Sequence, residues 1–326
     1  MKTFGGEIGI PEQHTEIFAS GRSSLRRILS CFEQGRKILL PDFLCPIVFD
    51  ECNRFAASIE FYSVLPEYEV DWQNLPLENF DILYVVHYFG FVTELPSDLP
   101  EDLVIIHDCV FLPWIDPVFS SLPNHQIGFT SFRKILPIVE GSLLVSTRAL
   151  PAFDSDTRFS VNEFSKPKFE GAKHKAHYQA SKQKNSESEE LYLSLLAQGE
   201  SLINRGRDIE TVSKSYVANI SYCMGLSLKG LNDRQHRFTE VQTILEQTKQ
   251  SPIFPSFYPV KVLNAASVRM KLASQRIYLP HFWPLNDSYL GVGMKQFNNL
   301  LFIPLAPEHD IGLFNQLLEV VSEHVC

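Results

Sequence analysis

The sequence predicts an α/β fold in which helices cover a β-sheet, followed by a smaller α+β domain. From residue 18 to about residue 150, short apolar runs alternate with amphipathic stretches, as in open α/β sheets. The apolar runs end at Pro, Gly or charged residues, which is typical of buried strands. A chain of 326 residues with 44% hydrophobic side chains can also build more than one small domain.

Five runs rich in Ile, Val, Leu or Tyr are predicted to be buried strands. They are Lys37 to Leu40, Ser58 to Tyr62, Ile82 to His87, Val104 to His107 and Leu143 to Ser146. Two helices are predicted by their apolar faces, at Ser23 to Phe32 and at Ile47 to Phe55.

The character of the chain changes at about residue 154. Residues 153–190 are polar, rich in lysine and almost free of aliphatic side chains. This composition predicts a surface loop that leads into a solvated helix. An alternative is a basic flap, Lys166 to Lys184, that closes over an anionic substrate.

The remaining sequence predicts helices and then the smaller domain. Residues 191–206 and 216–231 have helical patterns, and a third helix over residues 232–250 would be capped by Asn232. The order that follows is strand, helix, strand, strand, helix, at residues 257–263, 267–275, 277–283, 300–306 and 309–325. We therefore expect a large domain over residues 1–235 and a small domain over residues 236–326.

Charge and composition exclude several classes of protein. A net charge of -9 argues against a nucleic-acid-binding protein, because such proteins use basic surfaces to displace counterions from phosphates. No segment approaches the length of uncharged chain that a membrane span needs, so we expect a cytoplasmic location. The six cysteines have no metal-ligand spacing and are expected to be reduced core thiols.

Asp108 and Lys134 form the pair most suggestive of chemistry. Asp108 closes the apolar run before it, so its carboxylate would emerge at the carboxyl edge of the sheet, where open α/β sheets bind ligands. Lys134 has apolar neighbours on its carboxyl side, and desolvation would lower its pKa and free the amine for attack on a carbonyl group. Taken singly, Asp108 could cap a loop and Lys134 could be a surface lysine. Arg133 could be exposed or could contact a phosphate.

Two further motifs lie at a helix start and at a strand end. The turn Ser20-Gly21-Arg22-Ser23-Ser24 offers free backbone N–H groups, hydroxyls and an arginine, which together suit a phosphate monoester. The same turn could be an ordinary N-cap. The segment Val86 to Gly90 ends a strand with two aromatic residues and a glycine, and could be a packed strand end.

The order and spacing of these motifs resemble the DegT/DnrJ/StrS family of sugar aminotransferases, which depend on pyridoxal 5'-phosphate (PLP) and have the fold type I of aspartate aminotransferase. The turn from Ser20 resembles the family's Ser-Gly-Thr-x-Ala-Leu phosphate turn, and Val86 to Gly90 resembles its Val-His-x-x-Gly. Ile105 to Cys109 falls where the family has an apolar strand closed by Glu-Asp-Ala. Ser131 to Lys134, followed by Glu140-Gly141, resembles its lysine motif.

The resemblance implies a mixed, mostly parallel sheet with helices on both faces and a role for each matching residue. Lys134 would bind PLP covalently and transfer a proton, and Asp108 would pair with the ring nitrogen. The other residues implied in cofactor binding are Gly21, Arg22, Ser23, Ser24, Phe43, Tyr88, Phe111 and Ser131. Phe111 stands where the family commonly has His or Gln, Ser131 lies closer to the lysine than usual, and Gly141 is followed by Ser142. Either Phe43 or Tyr88 would stack on the cofactor ring.

The implied substrates are small molecules, a keto sugar that is usually nucleotide-linked and a glutamate-like amino donor. Such a reaction would serve the biosynthesis of polysaccharides or other sugar derivatives, in a homodimer. His281, Trp283 and the basic segment could contact the sugar nucleotide, although packing and solvation are simpler interpretations. Two alternatives remain open: a non-catalytic relative that binds cofactor or sugar nucleotide, and a PLP enzyme of another reaction type.

Overall fold

Seven strands form one sheet at the centre of the chain's first half. The computed structural model describes residues 14–136, 138–153, 162–181, 185–206, 208–213, 216, 225, 230–246, 251–283, 297–307 and 309–326. The strands are β1 (His14–Phe18), β2 (Lys37–Pro41), β3 (Ser58–Tyr62), β4 (Ile82–Val86), β5 (Val104–Cys109), β6 (Gln126–Thr130) and β7 (Ser142–Ser146). Their order is β1-β7-β6-β5-β4-β2-β3, and only β7 runs antiparallel to its neighbours. The predicted α/β fold with a mixed, mostly parallel sheet is therefore confirmed.

Helices and a second, two-stranded sheet complete the described structure. The helices are α1 (Gly21–Leu29), α2 (Pro46–Asn53), α3 (Ser165–Ala180), α4 (Ser186–Arg205), α5 (Leu231–Leu245), α6 (Ala265–Ser274) and α7 (Ile311–Ser322). The small antiparallel sheet pairs β8 (Phe257–Lys261) with β9 (Leu300–Pro304). The predicted domain boundary after residue 235 falls inside α5 and stays a prediction. Within the described ranges, no helix combines the length and the apolar character needed to cross a bilayer.

The central strands are buried along almost their whole length because they are covered on both faces. Every side chain of β4 is buried, from Ile82 to Val86, as expected for an interior strand of a parallel sheet. The edge strand β3 instead alternates between exposed and partly buried positions. Because β2, β4, β5 and β6 are parallel, their carboxyl ends meet at one edge of the sheet, and this edge carries the candidate site.

Several predicted boundaries in the first half need correction. Strand β5 continues through Cys109, so Asp108 lies within the strand rather than after it. Strands β1 and β6 were missed because they are short and mix polar with apolar residues. Of the cysteines expected in the core, Cys326 is exposed, and the described cysteines are free thiols.

Two predictions in the second half are wrong. Residues 277–283, predicted as a strand, have no regular structure, and they contain Pro280, which cannot donate a ladder hydrogen bond. The helix predicted to be capped by Asn232 begins at Leu231, with Gly230 at the N-cap position. The helix predicted over residues 216–231 lies largely outside the described residues.

The lysine-rich segment is more ordered than its composition predicts. Helix α3 occupies residues 165–180, and it packs against α4 along its length. Glycines allow this close approach: a Cβ atom on Gly171 would lie 3.0 Å from the side chain of Leu196. The segment is therefore half of a helical hairpin, and the solvated helix expected after the loop begins at Ser165.

A chain of buried hydrogen bonds links the ends of β4 and β5. The backbone N–H of Thr93 donates to Nδ1 of His87 over 3.1 Å, so Nε2 of His87 carries the proton and donates to Nδ1 of His107, also over 3.1 Å. Nε2 of His107 then donates to the side-chain oxygen of Gln126. Burial lowers the pKa of both imidazoles, that of His107 to about 4. Both rings are therefore neutral at physiological pH.

This chain predicts acid destabilisation. In the unfolded state His107 takes up a proton near pH ~6.5, whereas in the folded state it does so only near its pKa of about 4. The free energy of unfolding therefore falls as the pH drops through this window. Between pH 6.5 and 5 the loss from this residue should be about 2 kcal/mol. Urea unfolding at both pH values should give a smaller loss for His107→Gln than for the wild type. Equal losses in both proteins would contradict this assignment, and the exposed His236→Gln serves as a control.

Gly90 is the point where the segment before β8 packs onto the sheet edge. Its backbone has φ +101°, and its carbonyl oxygen accepts the N–H of Ile253 over 3.0 Å. A Cβ atom on Gly90 would lie 1.7 Å from the carbonyl oxygen of Phe254. Glycine is therefore required here both for its conformation and for the space.

Substitution of Gly90 should be far more harmful than substitution of another glycine with a similar backbone. Gly90→Ala adds a backbone clash to the unfavourable φ and should cost about 3 kcal/mol or more. Gly35 has φ +92° and nothing within 4 Å of an added Cβ, so Gly35→Ala should cost only about 1–2 kcal/mol. Urea denaturation of the two variants measures the difference, and similar costs would show that the contact with Phe254 is easily relieved.

Candidate functional site

The start of α1 presents backbone N–H groups at the carboxyl edge of the sheet. Ser20 is the N-cap residue, and its Oγ accepts the N–H of Ser23 over 3.2 Å. The N–H groups of Gly21 and Arg22 precede the first intrahelical bond, and no described residue accepts from them. A Cβ atom on Gly21 would lie 3.4 Å from that of Ser131. The turn and the lysine motif, far apart in sequence, are thus adjacent in space.

The serine hydroxyls of this turn are engaged within the protein. Ser24 and Ser142 are 2.7 Å apart through their Oγ atoms, and the Ser142 hydroxyl donates to the backbone oxygen of Thr130. The Ser24 hydroxyl must therefore donate to Ser142. Ser23 similarly lies 3.1 Å from Ser20, Oγ to Oγ. Anion binding by this turn would depend first on its N–H groups, and the roles of both serines stay predictions.

Asp108 is a buried carboxylate held by two donors. The hydroxyl of Tyr84 on β4 donates to Oδ2 over 2.7 Å, and the N–H of Val110 donates to Oδ1 over 3.1 Å. The side chain of Asp108 is 4% exposed, and no described arginine or lysine forms an ion pair with it. Burial raises its pKa, while the charge of Lys134 and the two hydrogen bonds oppose this rise.

Lys134 ends a short 3-10 turn, Phe132–Lys134, that follows β6. Its Nζ lies 4.9 Å from the centre of the Phe111 ring, a cation–π contact. Desolvation lowers the pKa of the amine, with further lowering by Arg133 and Arg22 and opposition from Cys45 and Asp108. The side chain is nevertheless accessible to solvent. The amine is therefore surrounded by protein atoms, while the residue keeps contact with solvent.

The predicted pair thus shares one site. Each of the two charges shifts the pKa of the other, which places Asp108 and Lys134 within electrostatic reach. The turn that carries Lys134 is anchored on its other side, because the N–H of Phe132 donates to the carbonyl oxygen of Gly141 over 3.0 Å. The N–H of Gly141 in turn donates to Ala19, next to the α1 turn. Backbone hydrogen bonds therefore link the Lys134 turn, the Glu140-Gly141 turn and the α1 turn.

Glu140 is the buried centre of this anchor. Its carboxylate is fully buried and accepts hydrogen bonds from the amide of Asn162, the hydroxyl of Ser165, and both the N–H and the hydroxyl of Ser213. These donors satisfy a charge that would otherwise be costly to bury. Glu140 therefore fixes the turn before β7 to the start of α3, and so supports the Lys134 turn indirectly.

Aromatic side chains pack on one side of Lys134. Phe43 stacks on Phe297 with ring centres 4.0 Å apart and contacts Tyr88 at 5.4 Å. Trp283 meets Phe43 edge-on at 4.8 Å and lies 6.3 Å from Phe111. The cluster brings four predicted site residues together, and it makes one side of the site apolar. Which of Phe43 and Tyr88 would stack on a cofactor stays open.

The structure gives His281 no comparable position. Burial and the charge of Arg269 on α6 lower its pKa, and within the described ranges no hydrogen bond or ring contact joins it to Asp108 or Lys134. Its substrate role stays a prediction without a supporting contact.

Sequence reasoning missed several residues that the site depends on. In the sequence Tyr84 is one more aromatic residue of a buried strand. Its hydroxyl can reach Asp108 because β4 and β5 are paired, with Val86 opposite Asp108. Glu200 on α4 reads as a solvated helix residue, yet it binds Arg22, Arg133 and Lys168.

Comparisons with known proteins were made on sequence and on structure. No protein-family model and no curated protein matches the sequence. Solved structures match the fold over nearly the whole chain. An aminotransferase named DegT DnrJ EryC1 StrS from Brucella abortus has a TM-score of 0.60 at 14% identity, covering 95% of this chain and 86% of its own.

Two further solved structures are similar to the same extent. The protein DesV of S. venezuelae has a TM-score of 0.57 at 13% identity, with 95% of this chain and 84% of its own covered. A Streptococcus pneumoniae protein assigned as a sugar aminotransferase, in its PLP form, has a TM-score of 0.58 at 13% identity, with 95% and 87% covered. At these identities the likeness establishes the fold, which is that of the PLP-dependent aminotransferases of fold type I, as the sequence motifs predicted.

Removal of the Tyr84 hydroxyl should destabilise the protein through Asp108. Tyr84→Phe takes a charge-assisted donor from a buried carboxylate and should cost about 1.5–3 kcal/mol at pH 7. In an Asp108→Asn background the cost should shrink, and urea unfolding of both single variants and the double variant measures this coupling. Tyr62→Phe is the control, because the Tyr62 hydroxyl donates to the backbone oxygen of Tyr84 over 2.9 Å. If the losses of unfolding free energy in the two single variants add up to the loss in the double variant, the hydrogen bond between Tyr84 and Asp108 does not stabilise the protein.

Proposed function

We propose that this chain is a PLP-dependent aminotransferase. The observation that carries the proposal is Asp108, a buried carboxylate at the carboxyl edge of the sheet without an ion-pair partner among the described residues. Burying a carboxylate costs free energy, and a purely structural role would be better served by an apolar side chain. A cationic ring nitrogen of a bound cofactor would supply the missing partner.

The residues present fit PLP. Asp108 retains lone pairs beyond those used by Tyr84 and Val110, so it can accept one more hydrogen bond from the ring. The free N–H groups at the start of α1, at Gly21 and Arg22, suit the phosphate. Lys134 offers an amine with a lowered pKa within electrostatic reach of Asp108. These are three of the contacts that the resemblance of the sequence motifs implies.

PLP, when bound, supplies an aldehyde for the amine of the substrate and a ring that accepts electron density. The protein's part is to place and charge the groups around it. The Tyr84 hydroxyl and the charge of Lys134 favour the carboxylate form of Asp108 against the effect of burial, and this carboxylate would favour the protonated form of the ring nitrogen. The aromatic cluster around Phe43 and Trp283 would exclude water from one side.

Lys134 would act both as the attachment point and as the proton carrier. Desolvation leaves a larger share of its amine neutral than a surface lysine has, and a neutral Nζ can attack a carbonyl carbon. With its Nζ free, Lys134 would accept the proton that the substrate carbon loses and could donate it again. The contact with the Phe111 ring would restrict where Nζ can move.

The acceptor we propose is a keto sugar, nucleotide-linked, with a glutamate-like amino donor. Its support is the resemblance of the sequence motifs and the sugar aminotransferase assigned to the similar Streptococcus pneumoniae protein. The cationic side chains beside the α1 turn would suit the phosphates of such a substrate. We further propose a cytoplasmic homodimer, as the motif resemblance implies.

Covalent attachment of the cofactor tests the proposal. The purified protein with added PLP should show a new absorbance band at longer wavelength than the protein's own absorbance, and borohydride treatment followed by peptide mass spectrometry should find the cofactor on Lys134. Lys134→Ala should lose the label, and Lys173→Ala, an exposed lysine on α3, should keep it. Asp108→Asn should bind PLP but lose activity by about a hundredfold or more.

Glutamate then distinguishes the reaction types. Added to the PLP-loaded protein, it should convert the cofactor to its amino form and shift the absorbance to shorter wavelength. An unlabelled Lys134 together with no new absorbance band would refute cofactor binding. A labelled Lys134 that no amino donor converts would refute transamination while leaving the cofactor in place.

A further inference from the structure

Three cationic side chains converge on a single carboxylate beside the α1 turn. Arg22 of α1 donates to Glu200 of α4 over 3.0 Å, and Arg133, the neighbour of Lys134, donates to the other carboxylate oxygen over 3.1 Å. Lys168 of α3 also contacts this second oxygen. We call these four residues the Glu200 cluster. It joins both halves of the α3–α4 hairpin to the candidate site.

The Glu200 cluster carries more positive than negative charge. Arg22 also donates to the side-chain oxygen of Asn204, which is neutral, and no described carboxylate other than Glu200 contacts the three cations. Their side chains are only 13–15% exposed, so solvent screens them poorly. Burial lowers the pKa of Arg22 and of Lys168, and the neighbouring cations lower both further. Two positive charges therefore remain without a counter-ion.

Donors are also left over in the cluster. Nε of Arg133 is buried and has no hydrogen-bond partner among the described residues. Ser131 precedes Arg133 by two residues and lies next to Gly21, where an added Cβ atom would be 3.4 Å from that of Ser131. The N–H groups of Gly21 and Arg22 have no acceptor among the described residues. Unused donors next to unbalanced positive charge are unfavourable unless an anion binds there.

We propose that Arg22, Arg133 and Lys168 form a binding site for a phosphate dianion, with Glu200 as an internal negative charge that neutralises one of the three cations. The chemistry favours phosphate over a single carboxylate, because two negative charges balance the cluster and several oxygens can accept from separate donors. The phosphate is that of the cofactor or that of a phosphorylated substrate, and titration of the PLP-loaded protein distinguishes the two. This inference deepens the proposed function and, for its biological meaning, rests on it.

Inorganic phosphate is the probe that tests the site without any catalytic step. Isothermal titration of the cofactor-free protein at low ionic strength should show phosphate binding. Arg133→Gln and Lys168→Gln should each weaken it by about tenfold or more, because each removes one charge-assisted donor. Glu200→Gln keeps the shape of the side chain but removes the opposing charge, so it should tighten binding severalfold. Lys173→Gln, on the exposed side of α3, should change nothing.

The opposite directions expected for Glu200→Gln and Arg133→Gln separate binding from a general loss of structure. Circular dichroism of each variant checks the fold, and a variant that fails to fold leaves the others to decide. Absence of phosphate binding to the wild type, or a Glu200→Gln variant that binds phosphate more weakly while folded, would overturn the proposal.

Titration of the PLP-loaded protein distinguishes the two sources of phosphate. If PLP abolishes the binding of inorganic phosphate, the site belongs to the cofactor, and if phosphate still binds, it belongs to a substrate. A protein that binds phosphate but takes up no PLP would refute the proposed function and leave this site standing. A protein labelled at Lys134 that binds no phosphate in its cofactor-free form would refute the phosphate site and leave the proposed function standing.

Discussion

The placement of one buried carboxylate organises the site. Asp108 lies within β5, with neighbouring strands on both sides, and its charge is tolerated because Tyr84, Val110 and Lys134 all stabilise it. Each of these groups depends on a different part of the fold: a neighbouring strand, the turn after β5 and the turn after β6. Burial of this carboxyl group costs free energy, and these three groups reduce the cost.

The parallel sheet determines which residues meet there. In the β5–β6 ladder Asp108 pairs with Phe129 and Cys109 pairs with Thr130, so Ser131 and the Lys134 turn emerge directly beside the end of β5. Gly141 then fastens that turn to the beginning of α1, and Glu140 fastens Gly141 to α3. Hydrogen bonds hold the carboxylates of Asp108 and Glu140 in place. Lys134, in contrast, is exposed to solvent.

The sequence predicted the parts of this arrangement that have a local signature. The apolar runs of β2 to β5 and the small-residue turn at Gly21 are visible in single segments, and the fold follows from their alternation with helices. What escaped prediction depends on partners distant in sequence. The Tyr84 hydroxyl matters because β4 and β5 are adjacent. Helix α3 packs closely against α4 because Gly171 leaves room for Leu196, and polar composition alone does not reveal this contact.

A crystal structure of the protein grown with PLP would test the central claim most directly. The account predicts density continuous from Nζ of Lys134 to the cofactor, with the ring nitrogen within hydrogen-bond distance of Asp108, about 2.7–3.0 Å. Cofactor found elsewhere on the molecule, or a ring whose nitrogen faces away from Asp108, would contradict it.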